Sequence, residues 1–195
     1  MYFDDDLFYD DACLYNFYDC ESLCTVPDTV KLATCCFTGH RNMPKSDKSR
    51  VLREIISTVS FLSSKGVTNF RAGGALGFDT LAAAVVIDLK RQNPKLKLIL
   101  DLPFPGQSDN WNENEKRIYE FEKAHADEIN FYGETPVGRA KISEYMFKRN
   151  RALVDNSSYC ICYLKNNKGG TAYTVDYATR RGLEIINLAE NIQNG

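Results

Sequence analysis

The sequence predicts an α/β fold, a three-layer sandwich built on a mainly parallel sheet. Three observations carry this expectation. Short apolar runs alternate with longer segments of helical spacing from residue 31 to residue 188. A glycine turn, Gly73-Gly74-Ala75-Leu76-Gly77-Phe78-Asp79, joins one apolar run directly to an Ala-rich helical segment. A second turn, Gly169-Gly170-Thr171, stands at the same place in a later strand–helix pair. Helices inserted between successive strands act as crossovers, so the strands run parallel and both faces of the sheet are covered.

The elements follow in chain order. Residues 31–37 read as a first strand, apolar enough to be buried. In 46–65 the apolar residues Val51, Leu52, Ile55, Ile56, Val59 and Leu62 recur at the spacing of one helix face, and Gly66 is the stop. Residues 67–72 form a second strand and 78–92 a helix ended by Asn93-Pro94. A third strand, 95–102, leads into a loop of Pro, Gly, Asp and Asn at 103–110. A helix over 112–126, a short strand over 128–132, a helix over 140–156 and a strand over 158–164 come next. Residues 166–170 form a turn, 171–181 a helix stopped by Gly182, and 183–188 the last strand. In a parallel sheet ligands bind beyond the carboxyl ends of the strands. The loops 38–44, 73–79, 103–110 and 165–171 are therefore expected on one edge.

Charge divides the chain into a tail, 1–29, and a domain, 30–195. The formal net charge is −2, but residues 1–30 hold eight acids and no Lys or Arg, which leaves 24 bases against 18 acids elsewhere. A mildly basic body suits anionic ligands. Without a Lys/Arg-rich run or a basic stripe interleaved with aromatics, it argues against nucleic acid. The tail carries seven aromatic residues before Pro27. Its composition is that of a poorly ordered segment, and the alternative is that its acids and rings dock on a partner or on the body's own site. No apolar stretch approaches the roughly 20 residues that span a bilayer. An acidic, aromatic start is the opposite of a signal peptide, so no membrane partner is expected and the location is expected to be cytoplasmic. Of seven cysteines, Cys35, Cys36, Cys160 and Cys162 lie in predicted strands and read as free, buried thiols. Adjacent Cys35 and Cys36 would face opposite sides of a strand. Cys13, Cys20 and Cys24 lack the paired spacing of a zinc site, and no metal is expected.

Five segments can carry chemistry. Thr38-Gly39-His40-Arg41 follows the first strand; Gly39 permits a tight turn, and Thr38, His40 and Arg41 offer donors for phosphate or sugar oxygens. Gly73, Gly74 and Gly77 let the backbone approach a ligand, and the following helix offers unpaired N–H groups and a positive dipole end. Asp79 in that first helical turn either binds the free N–H groups or accepts from a ribose hydroxyl; a carboxylate in contact with phosphate would repel it. Gln107, Asn110 and Trp111 occupy the loop after the third strand, where Trp111 either stacks a base or caps the core. Tyr119 lies on roughly the same helical face as Trp111. Arg149 and Asn150 form a polar pair in an amphipathic segment, as ligand contacts or as part of a solvated basic face. Gly169, Gly170 and Thr171 open the helix after the fifth strand, where Thr171 can turn its hydroxyl and its N–H towards an anion or serve as an ordinary cap.

Together, Thr38 to Arg41, Gly73 to Asp79, Gln107 with Trp111, Met146 to Asn150, Val154-Asp155 and Gly169 to Thr171 resemble the SLOG superfamily. That superfamily groups LOG phosphoribohydrolases, the DNA-processing protein DprA/SMF and YpsA-like proteins. The resemblance covers about residues 31–190 and points to the YpsA-like branch of bacterial, mainly Firmicute, proteins. It implies a Rossmann-like fold and binding of a nucleotide or nucleotide-derived ligand; the reading that follows is a nucleotide-binding sensor or regulatory protein, with no cofactor expected. Relatives often form dimers, so it also implies a homodimer. Some members are linked to cell-division control and stress.

Two alternatives stand beside this reading: a nucleotide hydrolase of the LOG type, and DprA-like binding of single-stranded DNA. LOG enzymes cut the base–ribose bond of nucleoside monophosphates and carry Met-x-x-Arg-Lys and Pro-Gly-Gly-x-Gly-Thr-x-x-Glu. Met146-Phe147-Lys148-Arg149-Asn150 matches the first with Asn for Lys. In the second, Lys168 stands for Pro, the middle x-Gly is missing, and Thr174 falls where the catalytic Glu would be. The oxocarbenium-like charge of that reaction calls for a carboxylate. The candidates for catalysis are Arg149 and Asp79, with Asp176, on the helix after the second glycine turn, as a further acid that could substitute for the missing Glu.

Overall fold

A computed structural model describes residues 28–189 of the 195-residue chain. The tail up to residue 27, and with it Cys13, Cys20 and Cys24, lies outside the described residues. The elements are α1 (Asp28–Leu32), β1 (Thr34–Gly39), α2 (Lys45–Ser64), β2 (Asn69–Ala72), α3 (Phe78–Lys90) and β3 (Lys97–Leu102), then α4 (Glu113–His125), β4 (Glu128–Phe131), α5 (Arg139–Asp155), β5 (Tyr159–Tyr163), α6 (Gly169–Arg180) and β6 (Glu184–Asn187). Among the described residues, no helix is long and apolar enough to cross a membrane.

The first strand starts three residues later than its apolar run predicts. Ala33 donates its N–H to the Val30 carbonyl at 3.1 Å and the Thr34 hydroxyl donates to the same oxygen at 2.7 Å. Those bonds close a short helical turn over Asp28–Leu32, which leaves Leu32 exposed. The other predicted elements fall within two residues of their expected bounds; α6 begins at Gly169, so the second glycine pair is its first turn rather than the loop before it. Asn112 starts α4 with a capping box: its side chain accepts from the Glu115 N–H, and Glu115 accepts from the Asn112 N–H.

All six strands run parallel in the order β4-β3-β2-β1-β5-β6. After β1 the chain builds outwards through β2, β3 and β4. It then returns to the other side of β1 for β5 and β6. The direction of winding reverses between β1 and β5, and at such a point the loops leaving two neighbouring strands diverge and open a crevice. Cores form on both faces. Cys35, Phe37, Phe70, Leu100 and Ile161 pack with residues of α2 and α3, while Cys36, Cys160 and Cys162 pack with Leu153, Val154 and Ala178 of α5 and α6. Cys35 and Cys36 thus face opposite sides of the sheet, and all four of these cysteines are free and buried.

One polar cluster interrupts this apolar interior. Arg71 on β2 pairs with Asp101 on β3 through two 2.7 Å hydrogen bonds, and Tyr132 donates to the same carboxylate at 3.0 Å. A buried charge pair persists when its lone pairs and protons are satisfied, as they are here. The cluster joins β2 to β3 and to the end of β4, away from the switch point.

Candidate functional site

The carboxyl ends of β1, β2 and β5, together with one face of α5, enclose a cleft of about 620 Å³ at the switch point. The β1 turn contributes Thr38, Gly39, His40 and Arg41 to its lining, and the β5–α6 turn contributes the run from Lys165 to Thr171. Between them α5 presents Met146, Arg149 and Asn150. Arg149 and Asn150 are both buried, so they are not part of a solvated basic face; the exposed base of that segment is Lys148, which pairs with Glu144.

The Gly73–Asp79 turn is fastened to its surroundings by its own polar groups. Asp79 accepts from the Gly73 N–H at 3.1 Å, and Arg149 donates to the Gly73 carbonyl. Gln107 donates to the Gly74 carbonyl at 2.6 Å. Gly77 has φ +89°, and a Cβ there would strike the Arg41 carbonyl, so only glycine lets the β1 and β2 turns touch. Gly73 and Gly74 are buried, and the cleft meets this turn at Ala75 and Asp79.

Asp79 is itself buried, and burial pushes its carboxyl up to about 6 against the pull of Arg149, the Ala75 and Gly73 N–H groups and Arg41. Behind it on α4 lies Glu122, also buried. Burial first, and then the neighbouring Asp79 carboxylate, push Glu122 up to about 8. Glu122 is a buried neighbour of the site that motif reading misses, because its helix carries four Glu residues and nothing in the spacing singles one out.

The β5–α6 turn is held from two sides. The Nε2 atom of His40 accepts from the N–H groups of Lys165 at 3.1 Å and Asn166 at 3.4 Å. That nitrogen is therefore an acceptor, and not the donor to ligand oxygen that the tripeptide suggests. From α2, Asp47 accepts from Lys165 Nζ at 2.7 Å and from the Tyr163 hydroxyl at 2.5 Å, and these partners hold its carboxyl down at about 2. Asp47 is a second residue that sequence reading misses, since its partners lie 116 and 118 positions away. With the turn so held, the first turn of α6 faces the cleft. Its N-cap, Lys168, makes no side-chain cap bond, and Gly169, Gly170 and Thr171 line the cleft wall. Their N–H groups and the helix dipole suit an anion.

Gln107 and Trp111 are brought to a neighbouring chamber rather than to the cleft itself. This chamber measures about 280 Å³, and Arg41, Ala75, Met146 and Arg149 line both spaces. Trp111 is half-buried and packs edge-on against Tyr119, with ring centroids 5.3 Å apart, so it covers the core and faces the chamber at once.

A profile for YpsA, described as the YspA SLOG family, matches residues 35–186. The chain belongs to this SLOG family. It is 33% identical over 118 residues to the uncharacterized SPbeta prophage-derived protein YoqJ of Bacillus subtilis strain 168, covering 57% of this chain and 69% of that protein. It is 32% identical over 116 residues to a UPF0398 protein of Bacillus cereus strain B4264, covering 58% of this chain and 60% of that one. Among solved structures, DprA of Streptococcus pneumoniae superposes with a TM-score of 0.57 at 20% identity, over 81% of this chain and 50% of its own. DprA of Helicobacter pylori, in a structure addressing its single-stranded DNA binding mode, gives 0.54 at 19% identity over 80% and 65%. At that identity both likenesses concern the fold. This SLOG chain spans only part of the length of each relative.

The departures from the LOG signature have a geometric reading in this SLOG cleft. Thr174 is buried, and its hydroxyl donates back to the Gly170 carbonyl at 2.8 Å. Asp176 is exposed and pairs with Arg180 on the outside of α6. Asp155 accepts from the Tyr177 hydroxyl and pairs with Arg181, also away from the cleft. Among the described residues lining the cleft, Asp79 is the one carboxylate.

Proposed function

We propose that the chain binds a nucleotide or nucleotide-derived ligand at the switch-point cleft and acts as a sensor or regulatory protein. One observation carries this reading. The first turn of α6 opens without a side-chain cap onto a cleft whose lining includes Arg41, Arg149, Lys165 and Lys168. A phosphate at Gly169 to Thr171 would meet backbone N–H groups, a positive dipole end and cationic side chains together. Gly39, Arg41 and Asn150 would border it, and Asp79 would accept from a ribose hydroxyl at the far wall. Thr174 in place of a carboxylate favours binding over LOG-type hydrolysis. Isothermal titration with nucleoside monophosphates, ADP-ribose and NAD tests the reading. Saturable heat that Thr171→Ala and Lys168→Ala weaken is expected; no heat at millimolar ligand would count against it. The homodimer implied by the family resemblance predicts twice the chain mass in light scattering.

A second reading is single-stranded DNA binding through the same edge. It rests on the DprA structure from Helicobacter pylori and on the exposed Lys165 and Lys168 at the cleft rim. Backbone binding of that kind weakens steeply with salt. An oligonucleotide mobility shift that fades as salt rises, and that nucleoside monophosphate displaces, would favour it.

A further inference from the structure

We propose that the aromatic chamber beside the cleft holds the planar base of the nucleotide. The ligand then lies across the neck formed by Arg41, Ala75, Met146 and Arg149, with its phosphate at α6 and its base beside Trp111. The proposal rests on the nucleotide reading and assigns the second half of the ligand.

The two spaces differ in chemistry. Among the described residues, the lining of the 620 Å³ cleft includes one aromatic side chain, His40, whose ring nitrogen already serves Lys165 and Asn166. A base placed there would find polar walls and no flat apolar surface. The 280 Å³ chamber has Phe104, Trp111 and Phe147 in its wall, with Pro105 and Pro136. Flat, weakly polar walls recognise heteroaromatic rings, and stacking on them tolerates any base. Asn110 also lines the chamber and offers both donor and acceptor to a base edge. The size agrees. A chamber of 280 Å³ is near the lower bound for small-molecule sites, which suits one ring system rather than a second nucleotide.

The helix α5 makes the connection. Met146 and Arg149 are three residues apart and share one face of it. Both border the cleft and the chamber, so a ribose between them would have its phosphate on one side and its base on the other.

Trp111 is the only tryptophan in the chain, so its emission reports the chamber alone. The full chain is titrated with the four ribonucleoside 5′-monophosphates and with ribose 5-phosphate, each followed by calorimetry and by tryptophan fluorescence. At least one monophosphate is expected to change the emission and to bind roughly tenfold tighter than ribose 5-phosphate, as one stacked base gives. Ribose 5-phosphate is expected to give heat without an emission change. Trp111→Leu should cost the monophosphate about that tenfold and leave ribose 5-phosphate unaffected, while Trp111→Phe should retain most of it. Far-UV circular dichroism confirms that both variants fold. If Trp111→Leu does not fold, Asn110→Ala with the native tryptophan gives the same comparison. Monophosphates that bind no tighter than ribose 5-phosphate and leave the emission unchanged would overturn this assignment and spare the phosphate site. Absence of heat with every ligand would overturn both.

Discussion

Arg149 on α5 donates across 76 positions of the chain to the backbone carbonyl of Gly73, and a Cβ at Gly73 would fall on its guanidinium. The contact ties the helix that crosses the switch point to the turn after β2. A charged donor on a buried carbonyl stabilises by about 1.5–3 kcal/mol. Arg149→Ala should lose stability of that order in urea denaturation and also weaken phosphate ligands. Gly73→Ala should do both with the arginine still present, because the new methyl displaces it, at about 1–3 kcal/mol. A Gly73→Ala protein with wild-type stability and affinity would show that the contact is incidental.

The buried carboxyls Asp79 and Glu122 predict an unusual pH dependence. Glu122 ionises near 4.5 in an open chain and near 8 in the fold, so the native state holds its proton more tightly. Between those values the folded protein binds more protons than the unfolded one, and stability falls as pH rises. Asp79, raised from 3.8 to about 6, acts in the same sense over a lower window. Stability should therefore decline from about pH 5 to pH 8 and level off above it. Glu122→Gln removes the larger part. Its advantage over wild type should grow across that range to a few kcal/mol, on the order of 2, at pH 8. Thermal melts of both proteins from pH 5 to pH 8.5 give the comparison, and parallel curves would contradict it.

What the sequence makes legible here is local, and what it hides is long-range. The alternation of runs and the stops at Gly66 and Gly182 place every element after β1, because each is written in consecutive residues. Cys35 and Cys36 show their two faces in the same way. The β1 start is lost because Leu32 and Ala33 continue the apolar run while Thr34, a polar residue, closes the turn. Arg71 and Asp101 carry a visible signal, since each is a charge inside a predicted buried strand, but the pairing needs the β2–β3 register. The glycine turns identify the right edge of the sheet. Which atoms remain open there is decided by partners such as Gln107, His40 and Asp47, none of which is near its target in sequence.

His40 and Asp47 hold the same turn from opposite sides, and neither needs to touch a ligand for its loss to matter. His40→Ala releases the Lys165 and Asn166 N–H groups, and Asp47→Asn weakens the hold on Lys165. Neither side chain is part of the buried core, so the melting temperature should move by only a few degrees. Affinity for a phosphate ligand should fall several-fold, because the first turn of α6 must then be ordered on binding. Hydrogen exchange over 165–171 should accelerate in both variants. Unchanged exchange with unchanged affinity would show that the turn holds itself.

Thr174 separates binding from hydrolysis. A LOG-type reaction needs a carboxylate where this SLOG chain has a buried threonine bonded to Gly170. The wild-type chain should release no free base from nucleoside monophosphates in a chromatographic assay. Thr174→Glu should not install the activity, because the site around Thr174 is closed and a carboxylate there would be buried without a partner. The expected result is a loss of stability on the order of 3 kcal/mol, read by denaturation. Thr174→Val, which removes only the hydroxyl and its bond, should cost about 1 kcal/mol. Base release by the wild-type chain that Asp79→Asn abolishes would reverse the conclusion. It would make Asp79, at the ribose end of the proposed ligand, the carboxylate that α6 lacks.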